Sequence, residues 1–291
     1  MKIEYEGSGD LIKFSAKLLQ NVDIERPRYE ASLLMSEILK KQIYEILSNP
    51  KINIGENERR IFLKKIYQRY LKKPISRIFG KREFYSRDFF INKYVLDPRP
   101  ESEIIVDLVK SLHSKINGKL VSILELGTGS GCLIISILRE INNKKTVATA
   151  TDISIKALEI ARKNICQHKL SNRVKLIQSN WFSKINEKFD IIFSNPPYVK
   201  TKIIKDLDSS VRDYDPLLSL DGGRKGLDAY KSIAKQAKKH LKNSGFLIFE
   251  IGNNQISSVC SIFEKKGFKL FLIKKDLTNK IRTIVFKNKF E

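Results

Sequence analysis

From Pro100 to the C-terminus the chain alternates in a way that leaves few folds open. Short runs rich in β-branched residues lie at 122–126, 147–151, 174–178, 190–193, 246–251, 270–274 and 281–287. Between them, helical spacing marks 101–113, 131–141, 155–168, 227–241 and 254–265. Continuous apolar strands alternating with amphipathic helices build a mostly parallel sheet covered on both faces. The last two runs are joined by only a short loop, which predicts a hairpin and so an antiparallel final strand. In such sheets a ligand sits outside the carboxyl ends of the strands, where the strand order reverses.

The first third of the chain has a different rhythm. Leu11, Phe14 and Leu18 form one helical stripe, Ala31, Leu34, Met35, Ile38 and Leu39 a second, and Ile61, Leu63, Ile66 and Tyr70 a third. Pro27, Asn49-Pro50 and Gly55 punctuate them. A small helical domain is expected over 1–73, suited to recognition because it holds no nucleophile, base or metal set. Pro74 is expected to end the helical pattern. Phe79, Phe84, Tyr85, Phe89 and Phe90 around Gly80 predict a β-hairpin linker over 74–98, leaving 99–291 for the α/β domain. The N-terminal MKIEYEGSGDLIKF has no apolar signal core, and no run approaches the ~18 apolar residues of a membrane span. A cytoplasmic protein without membrane attachment is expected.

Four strand ends carry the chemistry. The first opens into Glu125-Leu126-Gly127-Thr128-Gly129-Ser130-Gly131 and then directly into a helix. Alternate glycines allow a tight turn and a close approach by a ligand. The spacing is neither GxGxxG nor a P-loop. The second ends in Thr151-Asp152, where a carboxylate can accept both hydroxyls of a ribose. Asp152 could instead cap the next helix, but Ser154 is placed to do that. The third ends in Ser179-Asn180-Trp181, an amide beside an aromatic, suited to the edge and face of an adenine. The fourth ends in Ser194-Asn195-Pro196-Pro197-Tyr198. Two prolines remove two donors and leave carbonyls to point outward. Asn195 Oδ1 and the Pro196 carbonyl could accept both N–H bonds of a planar NH₂, with Tyr198 stacked on its plane. Holding both hydrogens aims a conjugated nitrogen at a methyl donor and stabilises the charge that develops.

Taken in order, ELGTGSG, TD, SNW and SNPPY resemble the class I S-adenosylmethionine methyltransferases of the amino-group type. NPPY is shared by adenine-N6, guanine-N2 and glutamine-N5 enzymes. Upstream, PISRIFGKREFY at 74–85 and LDPRPESE at 96–103 are similar to the PI…GxxEF(Y/W) hairpin and PRP(D/E)TE signature of HemK-type release factor glutamine methyltransferases. The resemblance runs from about Arg28 to Phe286. It implies a Rossmann-like seven-stranded domain with an antiparallel last strand, preceded by a small helical domain and hairpin. It implies methylation of the glutamine of the GGQ motif in peptide chain release factors, with S-adenosylmethionine as cofactor and S-adenosylhomocysteine as product. Gly127, Thr128, Gly129, Ser130, Gly131, Asp152, Asn180, Trp181 and Asn195 would hold the cofactor. Asn195, Pro196, Pro197 and Tyr198 would hold the glutamine amide, with Asn195, Pro196 and Tyr198 in the catalytic role. The alternative acceptor is an adenine-N6 or guanine-N2 amine of RNA or DNA.

Four positions depart from that pattern: Asp97 for an apolar residue, Asn180 for an acid, Lys225 for an aspartate, and Ser102 for a threonine. Glu101 and Glu103 read as first-turn acids favoured by the helix dipole, and His113, His168 and His240 as groups late in helices, His240 on the surface. Cys132, Cys166 and Cys260 are scattered and read as small buried hydrophobes, and no metal site is expected. A formal charge of +23 suits an anionic partner, but lysine is spread over every segment, as AT-rich coding would also leave it. A monomer acting on a protein substrate is expected.

Overall fold

The computed structural model describes residues 7–116, 120–141 and 143–288 of the 291-residue chain. Residues 1–6, part of the N-terminal stretch expected to lack a signal core, lie outside the described residues. Two compact units divide between Phe79 and Gly80.

The first unit is helical: Ser8–Gln20, Pro27–Leu39, Ile43–Ser48, Glu56–Tyr70 and Ile75–Phe79. Its helix ends are specified locally. Pro27 occupies the first helical turn, where its missing N–H costs nothing, and Lys40 closes that helix in the left-handed conformation. Glu45 and Glu58 reach back to the N–H groups of Gln42 and Gly55 at 2.7 and 2.8 Å. The second stripe is buried as expected at Ala31, Leu34 and Met35, whereas those of the first and fourth helices are turned by about one residue. Leu11, Ile12 and Leu19 are buried in the first helix, and Phe62 and Ile66 in the fourth, while Ile61 and Tyr70 are exposed. Neighbouring apolar positions offered two registers, and the bulkier Phe62 took the core. Pro74 does not end the helical pattern. Its carbonyl accepts the Ile78 N–H at 3.0 Å and starts one more turn that buries Ile78.

The second unit opens with β1 (Lys81–Phe84) and β2 (Arg87–Phe90), paired antiparallel across Tyr85-Ser86. Both turn residues have positive φ, 50° and 55°, the geometry that matches strand twist in a two-residue hairpin. Phe84 and Phe89 are buried in the same core as Val106 and Val109. The hairpin is therefore packed into the second unit, where the sequence suggested a linker.

Seven further strands follow: β3 (Ser122–Leu126), β4 (Val147–Asp152), β5 (Val174–Gln178), β6 (Phe189–Ser194), β7 (Leu241–Glu250), β8 (Phe268–Lys275) and β9 (Ile281–Asn288). Their order is β5-β4-β3-β6-β7-β9-β8. The first five are parallel, and β9 runs antiparallel to both β7 and β8. This is the Rossmann-like seven-stranded sheet with an antiparallel last strand. Period-two alternation serves two cores: Ile123 and Ile191 face one layer, Leu124 and Ile192 the other. The helix expected over 227–241 is broken into Asp228–Ala234 and Ala237–His240. Strand β7 then begins at Leu241, earlier than expected, because Leu241 pairs with Phe189 and Lys242 with Asp190. Strand order reverses beside β3, which places the ligand crevice over the carboxyl ends of β3, β4 and β6. No described helix is long and apolar enough to cross a membrane.

Candidate active site

The turn after β3 is held open from below. The N–H groups of Gly127 and Thr128 both donate to the Thr151 carbonyl at 2.9 and 2.8 Å, and Gly129 N–H donates to Asp152 Oδ2 at 2.9 Å. Gly127, Gly129 and Gly131 have φ of 75°, 54° and 79°. A Cβ at Gly131 would come into ordinary contact with Ala161 at 3.5 Å, whereas one at Gly129 would meet nothing within 4 Å and would stand in the crevice. Ser154 Oγ accepts the Ala157 N–H and caps the following helix, so Asp152 is not needed as a cap. Each Asp152 oxygen accepts one backbone N–H, from Gly129 and Ser154. A carboxylate has about four lone-pair sites, so two remain for a diol. Burial raises the pKa of Asp152.

A cavity of about 520 Å³ lies over this turn, the size of a nucleoside-bearing ligand's site. Gly127, Gly129, Asp152, Asn180, Trp181 and Asn195 line it, with Thr128 and Ser130 between the glycines. Trp181 adopts φ 51° as the chain leaves β5, and its ring edge comes within 3.9 Å of where a Gly127 Cβ would stand. Gly131 is packed beneath the turn and does not line the cavity. An open left-handed glycine, a carboxylate with spare acceptor sites and an aromatic in one apolar cavity fit a nucleoside cofactor.

The Asn195-Pro196-Pro197-Tyr198 segment follows β6 directly. Ser194 Oγ donates to the Leu126 carbonyl at 2.7 Å and pins the end of β6 to the end of β3. Asn195, Pro196 and Pro197 line the cavity. Tyr198 does not. Its ring packs with the Leu124 and Phe249 layer, and its hydroxyl donates to Glu250 Oε1 at 3.1 Å. Burial and Glu250 push its pKa far up. The backbone here is closely fitted. Gln255 Nε2 donates to the Tyr198 and Gly226 carbonyls at 3.1 and 3.0 Å, and a Cβ at Gly226 would fall 2.3 Å from the Tyr198 oxygen.

Several polar groups around the cavity were not singled out from sequence. Glu125 is buried under the glycine turn and accepts from Thr128 Oγ1 at 2.5 Å; burial lifts its pKa to about 8. Glu250 is buried at the end of β7 and receives the Ser102 and Tyr198 hydroxyls. Ser102 in turn accepts from Asn195 Nδ2 at 3.0 Å. The available signal was an acid closing the apolar run Phe246–Phe249, which ordinary strand patterning does not require. Asp215 pairs with Arg99 and accepts the Asp97 N–H at 3.2 Å, ahead of Leu218 and Ser219 on the cavity wall.

The departures are placed as follows. Asp97 is buried, with Arg82 3.7 Å away compensating an acid at an apolar position. Asn180 and Lys225 are exposed. Glu103 accepts the Tyr85 N–H at 2.7 Å and braces the hairpin turn. His240 is not a surface group: it is buried, stacked 4.7 Å from Phe182, and shares a 3.1 Å hydrogen bond with the Glu187 carbonyl. Cys132 and Cys260 are buried but Cys166 is exposed, because its helix position faces away from the sheet. Among the described residues no three His, Cys, Asp or Glu side chains converge as metal ligands.

Residues 105–211 match the family model of the methyltransferase small domain, and residues 10–80 that of the PrmC N-terminal domain. A bifunctional methyltransferase of Rickettsia bellii is 38% identical, over 91% of this chain and 52% of its own length. The chain thus spans about half the length of the curated relatives of that kind. The release factor glutamine methyltransferase of Agrobacterium fabrum is 36% identical over 96% of each chain. That of Clostridium botulinum is 37% identical over 94% of this chain and 97% of its own. A methyltransferase from Pyrococcus furiosus shares the fold with a TM-score of 0.51 at 20% identity, over 81% of this chain and 99% of that one.

Proposed function

This chain belongs to the release factor glutamine methyltransferase family, and from that premise we propose that it methylates the side-chain amide nitrogen (N5) of the GGQ glutamine in peptide chain release factors. The cofactor in this reading is S-adenosylmethionine, which when bound supplies an electrophilic methyl group. The Gly127–Gly131 turn would admit it without steric obstruction, Asp152 would accept its ribose hydroxyls, and Asn180 with Trp181 would border its adenine.

The chemistry asked of the protein is positional. An amide nitrogen is a poor nucleophile because its lone pair is conjugated with the carbonyl. Asn195 Oδ1 and the Pro196 carbonyl accept the two N–H bonds of the glutamine amide, aim the nitrogen along the transfer line and stabilise the positive charge that grows on it. Once the new C–N bond has formed, the nitrogen sheds one N–H proton to water, so no general base is required. Tyr198 acts from behind the site through Glu250, not by stacking on the acceptor. The observation that carries the reading is that Asn195 and the Gly129–Asp152 pair line one cavity.

The helical domain and hairpin would dock the release factor, and +23 of net charge would speed its approach to an acidic surface. A translation factor as substrate supports a cytoplasmic setting. The decisive experiment offers the purified enzyme release factor and ribosomal RNA side by side with methyl-labelled cofactor. Label on the GGQ glutamine is expected; label on RNA alone would reverse the assignment. Asn195→Ala should lower kcat by about 10²–10³-fold, the usual loss for one preorganised group.

A further inference from the structure

Two side chains at the acceptor end of the cavity lead back to one buried carboxylate. Asn195 Nδ2 donates to Ser102 Oγ at 3.0 Å, and Ser102 Oγ donates to Glu250 Oε2. From the other side the Tyr198 hydroxyl donates to Glu250 Oε1 at 3.1 Å. We propose that Glu250, acting through Ser102, is the positioning residue that sets which edge of the Asn195 amide faces the cavity, and so makes the site select an amide over a carboxylate. The proposal rests on the glutamine-methylating reading above and gives it a specificity determinant.

The reasoning is one of hydrogen-bond polarity. An ionised carboxylate only accepts. While Glu250 is ionised, both hydroxyls that reach it must spend their single proton on it. Ser102, its proton committed, can only accept from Asn195. Asn195 must then turn its NH₂ toward Ser102 and leave Oδ1 for the cavity. An incoming glutamine amide finds an acceptor for its N–H, whereas a glutamate would set oxygen against oxygen. A neutral group at position 250 would leave both polarities open, and half of them would present NH₂ to the acceptor. Burying a carboxylate is costly unless it is well paired. Burial raises the pKa of Glu250, and the Ser102 and Tyr198 hydroxyls with the nearby Arg282 work against that rise, while Glu101 adds to it.

The test uses the full chain with Ser102→Ala, Ser102→Thr and Glu250→Gln. The substrate is the release factor, and the competitor is the same factor with glutamate at the acceptor position. Ser102→Thr keeps a hydroxyl and should hold kcat within about threefold of wild type. Ser102→Ala and Glu250→Gln should lower kcat about tenfold or more, while cofactor Kd by calorimetry moves less than about twofold. The preference for glutamine over the glutamate competitor should fall by about fivefold or more in both. Unchanged kcat and preference in Ser102→Ala would overturn the proposal, as would a Thr variant as impaired as Ala. If both Ser102→Ala and Glu250→Gln lose cofactor affinity together, the pair is a structural brace and the proposal also falls. Should wild type leave the release factor unlabelled, the glutamine reading fails separately. The relay is then read by NMR on the Asn195 side-chain NH₂, assigned with Asn195→Asp. Its protection from hydrogen exchange should vanish in Ser102→Ala, and persistence would refute it.

Discussion

Asn164 grips Phe90 with both edges of its amide: Oδ1 accepts the Phe90 N–H at 2.8 Å and Nδ2 donates to the Phe90 carbonyl at 3.0 Å. The same Nδ2 donates to the Ser130 carbonyl at 2.8 Å. One buried side chain thus stands in for a neighbouring strand at the hairpin and ties it to the glycine turn. Asn164→Ala leaves three backbone groups without this partner. Each unsatisfied buried group costs about 1–3 kcal/mol, so after partial relief by water a loss of about 2–4 kcal/mol is expected in urea denaturation. Cofactor affinity should weaken as well, because Ser130 belongs to the turn. Unaltered stability would show that the hairpin does not depend on this bridge.

Gly226 and Gly129 both have positive φ, yet their alanine variants should fail differently. At Gly226 a methyl would lie 2.3 Å from the Tyr198 oxygen and displace the Asn195–Tyr198 backbone. Gly226→Ala should lower kcat by about tenfold or more with a smaller effect on cofactor Kd. At Gly129 nothing stands in the way, so Gly129→Ala pays only the left-handed strain of about 1–2 kcal/mol. Its methyl enters the cavity, and cofactor Kd should rise by about tenfold or more. Thermal melts and calorimetry on the two variants separate the effects.

Glu125 makes stability depend on pH. Burial, reinforced by Asp152, lifts its pKa from 4.5 to about 8. The folded chain therefore binds this proton more tightly than the unfolded chain. The contribution is fully present below about pH 4.5 and is lost as pH rises toward 8, by about 5 kcal/mol in all. Glu125→Gln should flatten the slope of unfolding free energy between those limits and be the more stable protein at pH 8. A slope unchanged by the substitution would place the pH dependence elsewhere.

Asp215 fixes the cavity wall. It pairs with Arg99 and accepts the Asp97 N–H, immediately before the segment that carries Leu218 and Ser219 to the cavity. Asp215→Ala should raise KM for the release factor several-fold while leaving cofactor Kd near wild type. Arg99 is partly exposed, so the stability loss should fall below the 3–5 kcal/mol typical of a broken buried pair, at about 1–3 kcal/mol. Steady-state kinetics and denaturation curves check the two halves.

Much of the molecule could be read from local pattern. The runs ending at Leu126, Asp152, Gln178 and Ser194 are apolar because the strands are covered on both faces, and the segments that follow them line the cavity. Local reading failed where two patterns competed. Leu241 was assigned to a helix, but pairing with Phe189 draws it into β7. His240 looked like an exposed group at a helix end, and the Phe182 ring covers it. Tyr198 was expected to stack on the acceptor, but Glu250, far away in sequence, accepts its hydroxyl and turns it inward.

The sequence by itself determined the alternating α/β architecture, the glycine turn with Asp152, and the Asn195–Tyr198 segment. Spacing, backbone freedom and side-chain chemistry at adjacent positions dictate these without reference to the rest of the chain. Only the tertiary structure decided that Ser102, Asn195, Tyr198 and Glu250 form one hydrogen-bonded unit, since Ser102 and Glu250 lie 148 positions apart. It also decided that the hairpin packs into the α/β core and that Asp215 anchors the cavity wall. These are pairings across the sheet, where hydrogen-bond polarity and burial are settled by groups remote in sequence, and no local pattern announces them.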